Sequence, residues 1–196
     1  MRDLVMAIMA KHRVPFGAVA INVSAAEFTR GDFATTILDS MAAFRLPTET
    51  LQLEVTETVF LGDTSGDIGD TLKTLSDDGV GIALDDFGTG YASLTHLRQL
   101  PVQWLKIDKS FVGDMKENRE SAAIVNMCIE LAQSFGIGVV AEGVETAEQA
   151  EMLTNWNCDV AQGYLFGKPV EANLVPFLLT GWSKDDARLY AARQRA

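Results

Sequence analysis

The stretch Gly81-Ile82-Ala83-Leu84-Asp85-Asp86-Phe87-Gly88-Thr89-Gly90-Tyr91 constrains this chain more than any other. Gly81 to Asp85 reads as a short apolar strand that ends in two adjacent carboxylates and then turns through glycines. Aspartate is depleted inside strands. Two like charges side by side raise each other's pKa unless a cation neutralises them. A metal ion at the mouth of a parallel sheet would supply that cation, provided other segments bring further acids to the same place.

The segments around it alternate between strand and helix. Strands are expected at Val19 to Val23, Leu51 to Val55, Gly81 to Asp85, Trp104 to Asp108, Ile137 to Glu142 and Asp159 to Gln162. Helices are expected at Asp32 to Phe44, Asp67 to Asp78, Leu94 to Leu100, Asn118 to Phe135, Ala147 to Trp156 and near Asn173 to Leu179. Leu4 to Ala10 reads as the tail of a helix with Lys11, His12 and Arg13 at its C-terminal end, and Ser183 to Ala196 as a short polar helix or frayed end. Strand-helix alternation with tight connections implies parallel strands joined by right-handed crossovers. Polar residues recur at alternate strand positions: Trp104, Lys106 and Asp108 on one face, Gln52 and Glu54 on another. That fits the lined interior of a barrel better than a doubly wound sheet, whose strands are apolar throughout. A (β/α)8 barrel needs eight strands in about 250 residues. The expectation is therefore an α/β, TIM-like (β/α) barrel with about six βα units, two strands short.

No linker or low-complexity stretch divides the 196 residues, so a single domain is expected. With 47% hydrophobic and 22% charged residues the chain can bury a core. A formal net charge of -11 argues against non-specific binding to DNA. It leaves anionic ligands open, because divalent metals reverse the local sign. Cys128 and Cys158 stand apart, without metal-ligand spacing. They read as small core residues in a reducing, cytoplasmic setting. His12 and His96 are isolated and read as surface or structural. No signal peptide and no membrane segment is expected.

The strand ends collect Asn22, Glu54, Asp85 with Asp86, Lys106 with Asp108, Glu142 and Gln162. All fall at the C-terminal ends of their strands, where barrel active sites form. One strand-end aspartate by itself is commonly a helix cap; polar groups at all six strand ends call for a shared purpose. Oxygen donors in this number suit Mg²⁺ or Mn²⁺. Adjacent aspartates can bridge two metals roughly 3.5–4 Å apart for in-line phosphoryl displacement. Lys106 adds positive charge near a phosphate or an attacking water. Glu57 and Glu145, each three residues after a candidate ligand, read as loop anchors or helix-start charges. Asp86-Phe87-Gly88 lacks the other kinase motifs, and Gly88-Thr89-Gly90 lacks the lysine of a P-loop.

The ordered set Asn22-Val23-Ser24, Glu54-Val55-Thr56-Glu57, Asp85 to Tyr91, Leu105-Lys106-Ile107-Asp108, Ala141-Glu142-Gly143-Val144-Glu145 and Gln162-Gly163-Tyr164 resembles the EAL domain family. Its members are bacterial cyclic di-GMP phosphodiesterases with a TIM-like barrel. The resemblance runs from about Val19 to Pro169. It implies that Asn22, Glu54, Asp85 and Asp86 ligate metal, with Asp85 bridging two ions. Glu142 is similar to a second-metal ligand or general base. Lys106 is similar to the lysine that holds the attacking water, with Asp108 beside it. Gln162 resembles a site-lining residue, Glu57 the anchor of the loop after Asp86, and Glu145 a further acid of the rim. Gly88, Thr89 and Gly90 fall in the loop where the family couples dimerisation to metal and substrate. Ala92 replaces the usual serine there.

The Glu-Ala-Leu motif that names the family is absent from this sequence, so one metal ligand is missing. Glu27 and Glu49 lie in the wrong context to replace it. The resemblance thus implies an N-terminally truncated barrel that hydrolyses cyclic di-GMP to linear pGpG weakly or not at all, with Mg²⁺ or Mn²⁺ at a two-metal site. It implies a homodimer, with unpaired barrel edges closed by a partner chain or by rearrangement, and sensor or GGDEF-type domains upstream in a longer parent. The other reading is a non-catalytic cyclic di-GMP receptor or regulatory dimerisation module. Hydrolysis of another phosphodiester stands behind both.

Overall fold

The computed structural model describes residues 18–29, 31–59, 66–88 and 94–175. The helix expected at Leu4 to Ala10, His12, the Thr89-Gly90 turn and the tail from Ser183 lie outside the described residues. The described strands are β1 (Val19–Val23), β2 (Leu51–Thr56), β3 (Gly81–Phe87), β4 (Trp104–Ile107), β5 (Gly138–Glu142) and β6 (Val160–Gln162). The helices are α1 (Ala25–Phe28), α2 (Phe33–Phe44), α3 (Asp67–Asp77), α4 (Leu94–Gln99), α5 (Lys109–Asp114), α6 (Arg119–Phe135) and α7 (Ala147–Asn155).

The strands follow one another in the sheet in sequence order, β1-β2-β3-β4-β5-β6. A doubly wound sheet reverses its strand order at a switch point; this order never reverses. Together with a helix after each of β1 to β5, it is the βα succession of a TIM-like barrel.

The chain forms two compact units. The first holds β1, β2, the start of β3 and α1 to α4. In β2, Leu51, Leu53 and Val55 are fully buried, whereas Gln52, Glu54 and Thr56 alternate with them on the opposite face. The apolar set shares its core with Ile37 and Met41 of α2 and Leu72 and Leu75 of α3. Helix α2 packs on α3, and α2 ends at Arg45 in the left-handed region, just before Pro47. The second unit holds the end of β3, β4 to β6 and α5 to α7. Leu105 and Ile107 of β4, with Val139 and Ala141 of β5, bury one face of the sheet against Val125, Cys128, Ile129 and Ala132 of α6. Both cysteines are buried free thiols, as their isolation suggested, and burial pushes the Cys158 thiol up to about 12.

Several boundaries move. Strand β3 continues past Asp85 to Phe87. Asp108 is not the last residue of β4 but the N-cap of α5, a helix the apolar periodicity did not reveal because six residues complete fewer than two turns. The helix expected near Asn173 begins as a 3₁₀ turn, Ala172–Leu174. Among the described residues no helix is long and apolar enough to cross a membrane.

Candidate active site

The two units carry different parts of the strand-end constellation. In the first, parallel pairing of β1 with β2 sets Asn22 opposite Glu54. Register partners on neighbouring parallel strands project to the same side of the sheet. Asn22 is exposed and Glu54 is buried. Glu57 follows on a 3₁₀ turn, Glu57–Val59, and is buried there.

In the second unit the constellation closes around Lys106. Its ammonium lies 3.1 Å from Asp85 Oδ1 and 2.6 Å from Glu142 Oε1. The three side chains are 5%, 10% and 20% exposed, so the contacts are largely shielded from water. They come from the successive strands β3, β4 and β5. Lys106 pairs with Val140 in register, which places Glu142 two residues further towards the C-terminal end of β5. The long lysine stem spans that offset.

Asp85 and Asp86 cannot both face this point on a regular strand, because neighbours alternate faces. The chain resolves this at Asp86, whose φ of 55° lies in the left-handed region. Aspartate tolerates that conformation better than most residues. The Asp86 N–H donates to Asp85 Oδ1 at 3.0 Å and steadies the kink. The Asp86 carboxyl then shares a hydrogen bond with Asp108. Loss of hydration, then repulsion from Asp85, Asp108 and Glu142, pushes Asp86 above the ordinary carboxylate range. Desolvation also opposes the charge on Asp108, but bonds from the Ser110 hydroxyl and N–H outweigh it and hold that carboxyl below its usual value.

The remaining predicted residues sit on the loops. Gln162 ends β6, exposed, in register with Glu142. Glu145 is also exposed, and its N–H donates to the Gln149 side chain. The loops after β5 and β6 are stitched together, since Val144 N–H donates to the Gln162 carbonyl and Leu165 N–H to the Val144 carbonyl. Gly163 permits this approach; a Cβ there would lie 2.1 Å from the Val144 carbonyl oxygen. Gly88 has φ 101°, and a Cβ on it would reach Phe111 at 3.1 Å. Thr89 and Gly90 lie outside the described residues.

Two contributors escaped the sequence reading. Ser110 tunes Asp108, and Gln149 holds the loop after Glu142. The Thr146-x-x-Gln149 spacing ahead of a helix is a capping-box signature and could have flagged Gln149.

The donor chemistry fits a hard divalent cation. Asp85, Asp86, Asp108 and Glu142 outnumber Lys106, the one buried lysine among the described residues, and all offer oxygen. In the arrangement observed, Lys106 itself supplies positive charge to Asp85 and Glu142. Among the described residues no three His, Cys, Asp or Glu side chains are yet disposed to hold an ion.

A βα succession with acids and a lysine towards the C-terminal ends of its strands is the frame on which active sites of TIM-like barrels are built. The chain belongs to the EAL domain family, which matches residues 1–169. It is 39% identical over 154 residues to the bifunctional diguanylate cyclase/cyclic di-GMP phosphodiesterase MucR of Pseudomonas aeruginosa, covering 79% of this chain and 22% of MucR. The MucR phosphodiesterase solved with c-di-GMP superimposes with a TM-score of 0.81 at 35% identity, covering 88% of this chain and 71% of that one. The EAL domain of Mycobacterium smegmatis DcpA gives 0.85 at 36% identity, covering 93% and 83%. Klebsiella pneumoniae BlrP1, solved with manganese and c-di-GMP, gives 0.79 at 30% identity, covering 86% and 43%. The chain spans about a fifth of the length of the curated relatives it matches.

Proposed function

We propose that this chain is the phosphodiesterase portion of a bacterial signalling protein and opens cyclic di-GMP to linear pGpG with Mg²⁺ or Mn²⁺. The observation that carries the reading is Lys106 held between Asp85 and Glu142 by contacts of 3.1 and 2.6 Å. A lysine fixed in that way can present N–H donors to an attacking water, and a carboxylate beside it can take that water's proton.

Asn22, Glu54, Asp85, Asp86 and Glu142 are the proposed ligands of a two-metal site with one family ligand missing. The bound ions would supply Lewis acidity and neutralise phosphate charge. Lys106 orients the water, Glu142 accepts its proton, and Asp108 steadies Asp86 beside them. The water oxygen bonds to phosphorus, the bond from phosphorus to one ribose oxygen breaks, and that oxygen takes a proton from solvent while Glu142 returns its own to solvent. Glu57 anchors the loop carrying Gly88, Thr89 and Gly90, while Glu145 and Gln162 line the rim. The domain acts as a homodimer in the cytoplasm, with sensor or GGDEF-type domains in the parent protein.

Because the Glu-Ala-Leu glutamate has no counterpart in this sequence, turnover falls below that of a complete domain. Chromatography of cyclic di-GMP incubated with the chain and Mn²⁺ tests this. Slow or absent pGpG formation is expected, and turnover equal to that of a complete EAL domain would refute it. The receptor reading draws support from Lys106, whose ammonium pairs with both Asp85 and Glu142. Calorimetry with and without Mn²⁺ separates the two: metal-independent binding without product favours the receptor.

A further inference from the structure

We propose that Gln149 is a positioning residue whose side-chain amide fastens the loop after Glu142 to helix α5, and so holds the Glu142 carboxylate against Lys106. Gln149 is buried at 5% exposure and makes four side-chain bonds. Its Oε1 accepts from the N–H groups of Glu145 at 2.8 Å and Thr146 at 3.0 Å. Its Nε2 donates to the carbonyls of Val112 and Gly113, both at 3.1 Å. Two N–H groups on one side and two carbonyls on the other leave only one orientation of the amide that satisfies all four.

The first pair of bonds is an ordinary capping box for α7. The second pair is not local, because Val112 lies 37 residues earlier in the chain and Gly113 lies 36. Those carbonyls belong to the last turn of α5, where intrahelical partners are lacking. The other end of α5 is capped by Asp108, two residues after Lys106. A rigid path therefore runs from the end of β4 through α5 and the Gln149 amide to Glu145, three residues after Glu142. The stitching of Val144 to Gln162 and Leu165 fixes the middle of that loop. What Gln149 positions rests on the phosphodiesterase reading; that it bridges the two segments does not.

The test compares the wild-type chain with Q149E, Q149M and T146A. Q149M removes all four bonds at similar volume. Q149E keeps acceptors for Glu145 and Thr146 but loses the donor to α5. T146A removes the hydroxyl that caps the Gln149 N–H, so it loosens α7 without cutting the bridge. Each is measured for melting temperature, for kcat and KM on cyclic di-GMP with Mn²⁺, and for the Glu142–Lys106 separation by crystallography. In Q149E and Q149M we expect kcat to fall about 10- to 100-fold, with KM within about threefold of wild type and the carboxylate displaced by about 1 Å. T146A should melt earlier yet keep kcat and the separation. An unchanged separation in Q149E, or a T146A variant as impaired as Q149M, overturns the proposal. A wild-type chain that neither binds nor hydrolyses cyclic di-GMP defeats the phosphodiesterase reading alone, and with or without turnover the separation still decides the role of Gln149.

Discussion

Lys106 does two jobs at the residue scale. In the proposed reaction it orients the attacking water, and in the fold it is the cation placed between Asp85 and Glu142. Removing one partner of a shielded ion pair strands the other. Lys106→Met should therefore lower unfolding free energy by about 3 kcal/mol in urea titrations without divalent ions. Mn²⁺ should raise the melting temperature of this variant more than that of wild type, because the ion replaces the lost cation; an equal shift would speak against a shared cation position. Asp108 gives a pH test. Its carboxyl is held below the usual range, so it contributes stability above the unfolded pKa of about 4, and that contribution is lost as pH falls through the lowered value. Ser110→Ala removes one of the bonds responsible. The variant should be less stable than wild type near neutral pH, and the two acid-unfolding curves should converge as the pH drops below the carboxylate range.

Helix ends and loop contacts decide what happens at the scale of elements. Helix α6 starts at Asn118, whose side chain accepts from the N–H groups of Glu120 at 2.9 Å and Ser121 at 3.4 Å. Asn118→Ala should cost about 1 kcal/mol, read from the urea midpoint. Gly163→Ala should cost about 2 kcal/mol or more, because the new methyl meets the Val144 carbonyl in a packed loop pair. The same substitution should reduce any cyclic di-GMP turnover, since the displaced loop follows Glu142 directly. Normal stability in that variant would mean the two loops are not joined in solution.

For the whole molecule, the excess of acids is the governing fact. The chain carries 27 Asp and Glu against 16 Lys and Arg, and two of its acids, Asp85 and Glu142, flank the buried Lys106 ammonium. A ligand that binds only the folded state stabilises it by mass action. Mn²⁺ at 100 times its dissociation constant should add about 2.7 kcal/mol of stability, seen as a rise in melting temperature that EDTA reverses. No shift with Mn²⁺ would contradict the metal site. The outer described strands β1 and β6 both carry exposed residues, Ala20 and Asn22 in one, Val160 and Gln162 in the other. Sedimentation as a dimer is the expected outcome if a second copy covers them.

The sequence alone determined the βα succession and the positions of Asn22, Glu54, Asp85, Lys106 and Glu142 in the C-terminal halves of their strands. These follow from local signals: apolar periodicity, glycine and proline stops, and polar residues where a strand should close. Tertiary structure alone decided how acids that are neighbours in sequence come to act together. Strand alternation would send Asp85 and Asp86 to opposite faces, and only the left-handed kink at Asp86 brings it to Asp108. Helix α5 was invisible because its six residues carry too little periodicity; it exists because Asp108 caps one end and Gln149, from 36 and 37 residues away, takes the carbonyls of the other. Such long-range bonds leave no mark on local pattern, since each partner meets its own local rules without the other.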